Sequence, residues 1–107
     1  MRRTGIRRTA EDARFSLMIR ERDQWTCMRC RKQHAEKSQG LHCAHHFTRR
    51  TRATRFDPDN AMALCYGCYQ FVDSHAAEKE ALWRERIGDE AYDALRLRAH
   101  SASKHPE

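Results

Sequence analysis

Four cysteines in two Cys-x-x-Cys pairs, Cys27/Cys30 and Cys65/Cys68, carry the most specific chemistry in the sequence. A Cys-x-x-Cys turn points both sulfurs at one ion, and two such turns complete a tetrahedral four-sulfur site. The pairs are separated by 34 residues. Zinc suits four soft thiolates and brings no redox chemistry of its own. A site closed by four protein ligands has no open position for substrate, so its role is in folding. A disulfide framework fits poorly in a reducing compartment, and a thioredoxin-like redox pair would need a βαβ context that the sequence lacks. An iron–sulfur cluster is the remaining alternative. Cys43 is left as a free thiol, most simply a small buried apolar residue.

Between the two pairs lies His42-Cys43-Ala44-His45-His46, then an arginine-rich loop with Arg49, Arg50, Arg52 and Arg55, then Asp57-Pro58-Asp59-Asn60. A neutral imidazole titrates near working pH and can take a proton from water. Four guanidinium groups within seven residues can fork onto phosphates. Each residue also has a plainer reading. His42 can be a packed strand residue, His46 a solvent-facing one, Asn60 a turn former, and the arginines a solvated loop.

Over residues 25–75 the combination resembles the HNH (His-Me finger) endonucleases, in particular small phage-type members. The motifs that carry the resemblance are Cys43-Ala44-His45, Thr48-Arg49-Arg50, Thr54-Arg55-Phe56-Asp57-Pro58-Asp59-Asn60 and Leu64-Cys65-Tyr66-Gly67-Cys68, with Trp83, Ile87-Gly88, Tyr92 and Leu95 downstream. The resemblance implies two antiparallel strands and a helix around one divalent ion. It implies a metal-dependent enzyme that nicks or cuts DNA, with a His general base and an ion (Mg, Mn, Ni or Zn) that stabilises the leaving oxygen. His45 is the base in this register. A shift of one residue would make His46 the base and His45 a ligand. Asn60 matches the central Asn, which pins the loop and orients the base. The arginines of the loop would hold phosphates.

Two positions depart from the family pattern. Ala44 stands where many members have an acidic metal ligand immediately before the base. His42 would share Ala44's side of a strand and could replace that ligand, as could His46. Tyr69 follows the last cysteine, where His or Asn is common, and a neutral phenol is a poor ligand. Asp73 lies one helical turn later on the same face and could substitute, while His75 is turned off it.

The elements that must position these groups are short. At 107 residues and 39% apolar the chain fits one domain with a small core, the kind that needs a staple. The fold class expected is α+β, a small ββα-metal core with zinc knuckles flanked by N- and C-terminal helices. A basic arm over residues 1–8 precedes a single domain over 9–100. Within it come a helix over 9–22, the core over 25–75 and C-terminal helices over 76–100, and residues 101–107 form a frayed tail. Thr9 and Asp12 suggest a capping box, and Phe15, Met18, Ile19 and Arg22 a core stripe. Trp25-Thr26-Cys27, Leu41–His45 and Ala61–Leu64 read as short strands, and residues 69–86 as one helix. Gly88 ends that helix and Asp89 caps a last one with Tyr92, Leu95 and Ala99 along one face.

A net charge of +6, from 21 Lys+Arg against 15 Asp+Glu, favours a polyanionic partner, and DNA is the partner expected. No apolar run approaches a membrane span, and Met1–Arg8 lacks the apolar centre of a signal peptide, so a cytoplasmic setting in a bacterial or phage-infected cell is expected. One base per chain cuts one strand at a time, which leaves monomer and homodimer both open. The alternatives to a nuclease are a catalytically impaired DNA-binding module and an interaction protein of a phage complex.

Overall fold

The computed structural model describes the backbone of residues 7–104 and the side chains of residues 7–101. The described residues form four helices and one two-stranded antiparallel sheet. The order is α1 (Ala10–Arg22), β1 (Leu41–His45), β2 (Ala61–Cys65), α2 (Tyr66–Ser74), α3 (Ala76–Ile87) and α4 (Asp89–Lys104), an α+β arrangement. Two 3-10 turns, Arg52–Thr54 and Pro58–Asn60, interrupt the loop between the strands. Residues 1–6 of the expected arm and 105–107 of the expected tail lie outside the described residues. The start of that tail is not frayed backbone, because α4 continues through Lys104.

Helix α1 begins as its sequence dictates. Thr9 Oγ1 accepts from the Asp12 N–H at 3.1 Å, and Asp12 Oδ2 accepts from the Thr9 N–H at 2.8 Å. This reciprocal pair satisfies two amide donors that a helix start otherwise leaves open. The buried face is Asp12, Phe15, Ser16 and Ile19. Met18, expected on that stripe, is instead 44% exposed. The face is rotated because Asp12 turns inward to bind arginines of the 48–60 loop. Arg22 joins it through its guanidinium, which donates to the Pro58 and Ala61 carbonyls, both at 2.9 Å.

The sheet pairs Leu41 with Cys65, Cys43 with Ala63 and His45 with Ala61. The outer edge of β2 is covered. Ala63 donates its N–H to Asp23 Oδ2 at 2.9 Å, and its carbonyl accepts from the Met28 N–H at 2.8 Å. Asp23 is 4% exposed and also accepts from Arg22 and Arg86. Burial pushes its carboxyl up, but these donors outweigh that and hold it below the usual range. Trp25-Thr26-Cys27 is not the strand expected. Gln24 and Trp25 both have positive φ, and only Thr26 forms a bridge, to Gln33. Left-handed backbone at two successive residues turns the chain out of any strand path.

The segment expected as one helix over 69–86 is two. The first starts three residues earlier, at Tyr66, and the break falls at His75, with φ −134° and ψ 85°. Local side chains compete for the backbone there. His75 Nδ1 lies 2.8 Å from the Phe71 carbonyl, and Ser74 Oγ donates to the Gln70 carbonyl at 3.0 Å. Helices α3 and α4 fold back to enclose the core, in which Met62, Leu64, Val72, Trp83 and Leu95 are fully buried. Trp83 Nε1 donates to the Asp59 carbonyl at 3.1 Å, which ties α3 to the turn before β2. Tyr92, Leu95 and Ala99 form the buried face of α4, as the pattern requires.

Gly88 joins α3 to α4 with φ +91° and ψ 155°, a region open essentially to glycine alone. A Cβ there would meet no atom within 4 Å, so the penalty for a side chain is purely conformational. Gly88→Ala should therefore cost about 1–3 kcal/mol. Urea unfolding would measure it, and a loss near zero would show that the linker relaxes freely.

Candidate active site and cysteine cluster

The two Cys-x-x-Cys pairs meet. Cys27 and Cys30 lie in the loop after α1, while Cys65 ends β2 and Cys68 sits in the first turn of α2. The four sulfurs lie within 4.8 Å of one another, and Cys30 Sγ is 3.9 Å from Cys65 Sγ. A tetrahedral ion with metal–sulfur bonds of about 2.3 Å would separate sulfurs by about 3.8 Å, so the cluster fits a metal ion and is consistent with structural zinc. Two donors steady the sulfurs. The Cys30 N–H reaches Cys27 Sγ and Arg29 Nη1 reaches Cys68 Sγ, both at 3.5 Å. Arg29 is itself held 4.1 Å over the Phe71 ring. Cys43 lies apart from this group, half-buried, and burial pushes its thiol up to about 12.

A cleft of about 460 Å³ opens between α1, the unpaired edge of β1 and α2. Its lining brings together His42, His45, Arg49, Tyr69 and Asp73. His45 Nε2 is 3.1 Å from the Arg55 carbonyl. A carbonyl only accepts, so Nε2 carries the proton and Nδ1 keeps its lone pair in the neutral ring. Burial beside Phe15 lowers the His45 pKa against the opposing pull of that carbonyl, which favours the neutral base. His42 sits near the rings of Tyr66 and Tyr69, and burial lowers its pKa too.

Asn60 is fully buried and spends its side chain on the same loop. Its Oδ1 accepts from the Phe47 N–H at 2.9 Å. Its Nδ2 donates to the Phe47 and Thr54 carbonyls at 2.9 and 3.0 Å. These three bonds clamp the end of β1 to the residue that precedes Arg55, and so support the carbonyl that meets His45.

His46 does not join the cleft. It lies in the bend just past β1 and turns away from His45 into the main core. There it packs against Phe47, Trp83 and Tyr92, and its Nε2 lies 2.7 Å from the Tyr92 hydroxyl. It is not among the residues that line the cleft. Ala44, on the same side, is fully buried against Met62 and its neighbours.

The arginines divide. Arg55 is committed inward, with Nε and Nη2 on the two carboxylate oxygens of Asp12 at 3.0 and 2.5 Å. Arg49 reaches the same carboxylate at 3.2 Å. Arg50 and Arg52 are exposed. Arg55 is thus a latch between loop and helix, because Asp12 is 6% exposed and needs the charge.

Asp73 forms an ion pair with Lys79 at 3.0 Å. Burial raises the Tyr69 pKa, so the phenol stays protonated and offers no anionic ligand. Among the described residues, the four cysteines are the one set of three or more such side chains close enough to hold an ion. Asp12, Arg20 and Lys79 line the cleft as well and were not selected on sequence as site residues. The one available signal was at Asp12, where a capping box usually carries the longer Glu. Comparisons with protein-family models, curated proteins and solved structures return no match.

Proposed function

We propose that this chain is a zinc-stapled, metal-dependent endonuclease of the HNH type that hydrolyses DNA phosphodiester bonds. The observation that carries the reading is the gathering of His42, His45 and Asp73, from β1 and α2, around one basic cleft. In this reading the antiparallel pair and α2 form a ββα-metal core, and zinc on Cys27, Cys30, Cys65 and Cys68 closes it.

His45 acts as the general base. Its Nε2–H is tied to Arg55, so Nδ1 takes a proton from water as the water oxygen bonds to phosphorus. The bond to the departing sugar oxygen breaks in the same displacement, with inversion at phosphorus and a proton from solvent on the leaving group. A divalent ion bound in the cleft would offset the charge that builds on the phosphoryl oxygens. His42 and Asp73 would hold it, with water and the substrate phosphate filling the other positions. Arg49 and Lys79 also line the cleft and would orient the strand through its phosphates. The test is a supercoiled-plasmid assay across Mg²⁺, Mn²⁺, Ni²⁺ and Co²⁺. Conversion to nicked or linear DNA is the expected result.

A second reading, a DNA-binding module without catalysis, draws on the Asp73–Lys79 ion pair and the protonated Tyr69. It predicts tight binding and no cutting in any of the four metals. Under either reading the exposed Arg52 meets phosphate. Arg52→Ala should weaken binding to all sequences alike and reduce the slope of log affinity against log salt by about 1. Anisotropy titrations at several salt concentrations would measure this, and an unchanged slope would remove Arg52 from the interface. Affinity indifferent to salt throughout would point instead to a protein partner.

A further inference from the structure

Asp12 belongs to α1, outside the strands and helix that carry the proposed chemistry, yet it is the most heavily engaged carboxylate beside the cleft. It accepts from the Thr9 N–H and hydroxyl, from Arg49, and from Arg55 through two parallel hydrogen bonds. Its pairing with Arg55 holds the carboxyl well below the usual range despite burial. Arg55 in turn presents its carbonyl to His45 Nε2 at 3.1 Å. The Arg55 N–H has a long bond of 3.3 Å to Arg52, and the residue lies just past a single 3-10 turn. Among the loop's backbone hydrogen bonds none donates to the Arg55 carbonyl, so short-range bonding does not fix it. Asn60 secures it from one side through Thr54. Asp12 secures it from the other through the Arg55 side chain.

We propose that Asp12 is a positioning residue that sets the tautomer and orientation of His45 through Arg55. The chain of contacts is Asp12 carboxylate, Arg55 guanidinium, Arg55 carbonyl, His45 Nε2–H. A fork of two hydrogen bonds fixes direction as well as distance, which one bond or a bare charge does not. Helix α1 is then part of the working site and not only packing for the sheet. The role in catalysis rests on His45 being the base, whereas the control of its tautomer does not.

The test uses the zinc-loaded full chain without other divalent ions and reads the ¹⁵N shifts of the His45 ring. The unaltered protein should show a single Nε2–H form. Asp12→Asn keeps the shape of the side chain and removes its charge. Arg55→Lys keeps the charge and removes the fork. Both should give a mixture of tautomers and, in the plasmid assay, a fall of about 10- to 100-fold in kcat with KM little changed. Thr9→Ala loosens the same helix start without touching Arg55 and should leave the tautomer single. A single Nε2–H form in folded Asp12→Asn would overturn the proposal. If that variant does not fold, a single form in Arg55→Lys would do the same. Absence of cutting by the unaltered protein would instead defeat the nuclease reading, and the ring spectra would still decide the role of Asp12.

Discussion

His45→Ala should lower plasmid cleavage by at least about 10²-fold and leave helix content and bound zinc unchanged. A positioned general base typically contributes about 10²- to 10⁴-fold. The upper part of that range is expected because, among the described residues, no other imidazole shares its position. His46 is turned into the Trp83–Tyr92 cage, and His42 sits near the tyrosines of α2. The fold should tolerate the change, since His45 contributes one hydrogen bond and a tilted contact with Phe15 at 5.7 Å between centroids. His46→Ala should behave in the opposite way. It empties a volume in the core, so stability falls while the residual folded protein still cuts. Parallel plasmid assays and thermal melts separate the two. Undiminished cutting by His45→Ala, or abolished cutting by a well-folded His46→Ala, would mean that the base has been assigned to the wrong imidazole.

Stripping the metal from the four cysteines, or replacing Cys68 with alanine, should unfold the chain at room temperature. Small domains are stable by about 5–15 kcal/mol in total. Zinc on a structural four-ligand site supplies apparent binding free energy on the order of 10 kcal/mol, so its loss removes an amount comparable to the whole. The geometry says where the loss would fall. Between the end of α1 and the start of β1 the chain forms one isolated bridge and otherwise turns and loop. That stretch is joined to the junction of β2 and α2 by Cys27 and Cys30, with Met28 and Asp23 bonded along the β2 edge. Circular dichroism during titration with a strong chelator, with elemental analysis of the starting protein, is the measurement. Retention of full helicity by a metal-free chain would show that Met62, Leu64, Trp83 and Leu95 suffice as a core. An elemental count far from one zinc per chain would contradict the staple directly.

Much of the site's raw material was legible in residue order because it depends on local rules. The spacing within each Cys-x-x-Cys pair forces two sulfurs to one side of a turn. The capping box at Thr9 and Asp12 needs only four residues, and the apolar face of α4 needs only the helical period. Strand β1 and the Asp57–Asn60 turn are equally local. The clamp at Asn60 came only from the family resemblance, and its bonds to Phe47 and Thr54 agree with a clamp.

What local rules could not supply was direction and partnership over distance. The family register favoured His45 over the adjacent His46 without fixing where either points, and the packing of Trp83 and Tyr92 around His46 separates the two. Four arginines were equivalent as cations, and only the docking of α1 gave Arg55 a buried carboxylate 43 residues away. The same docking rotated Met18 out of the core. The split of the expected long helix at His75 came from side chains competing for the last carbonyls of α2, which no periodicity encodes. Composition and short-range spacing determine which groups the chain can offer. The choice among like groups rests on burial, because burial makes an unpaired charge costly and so demands partners for it.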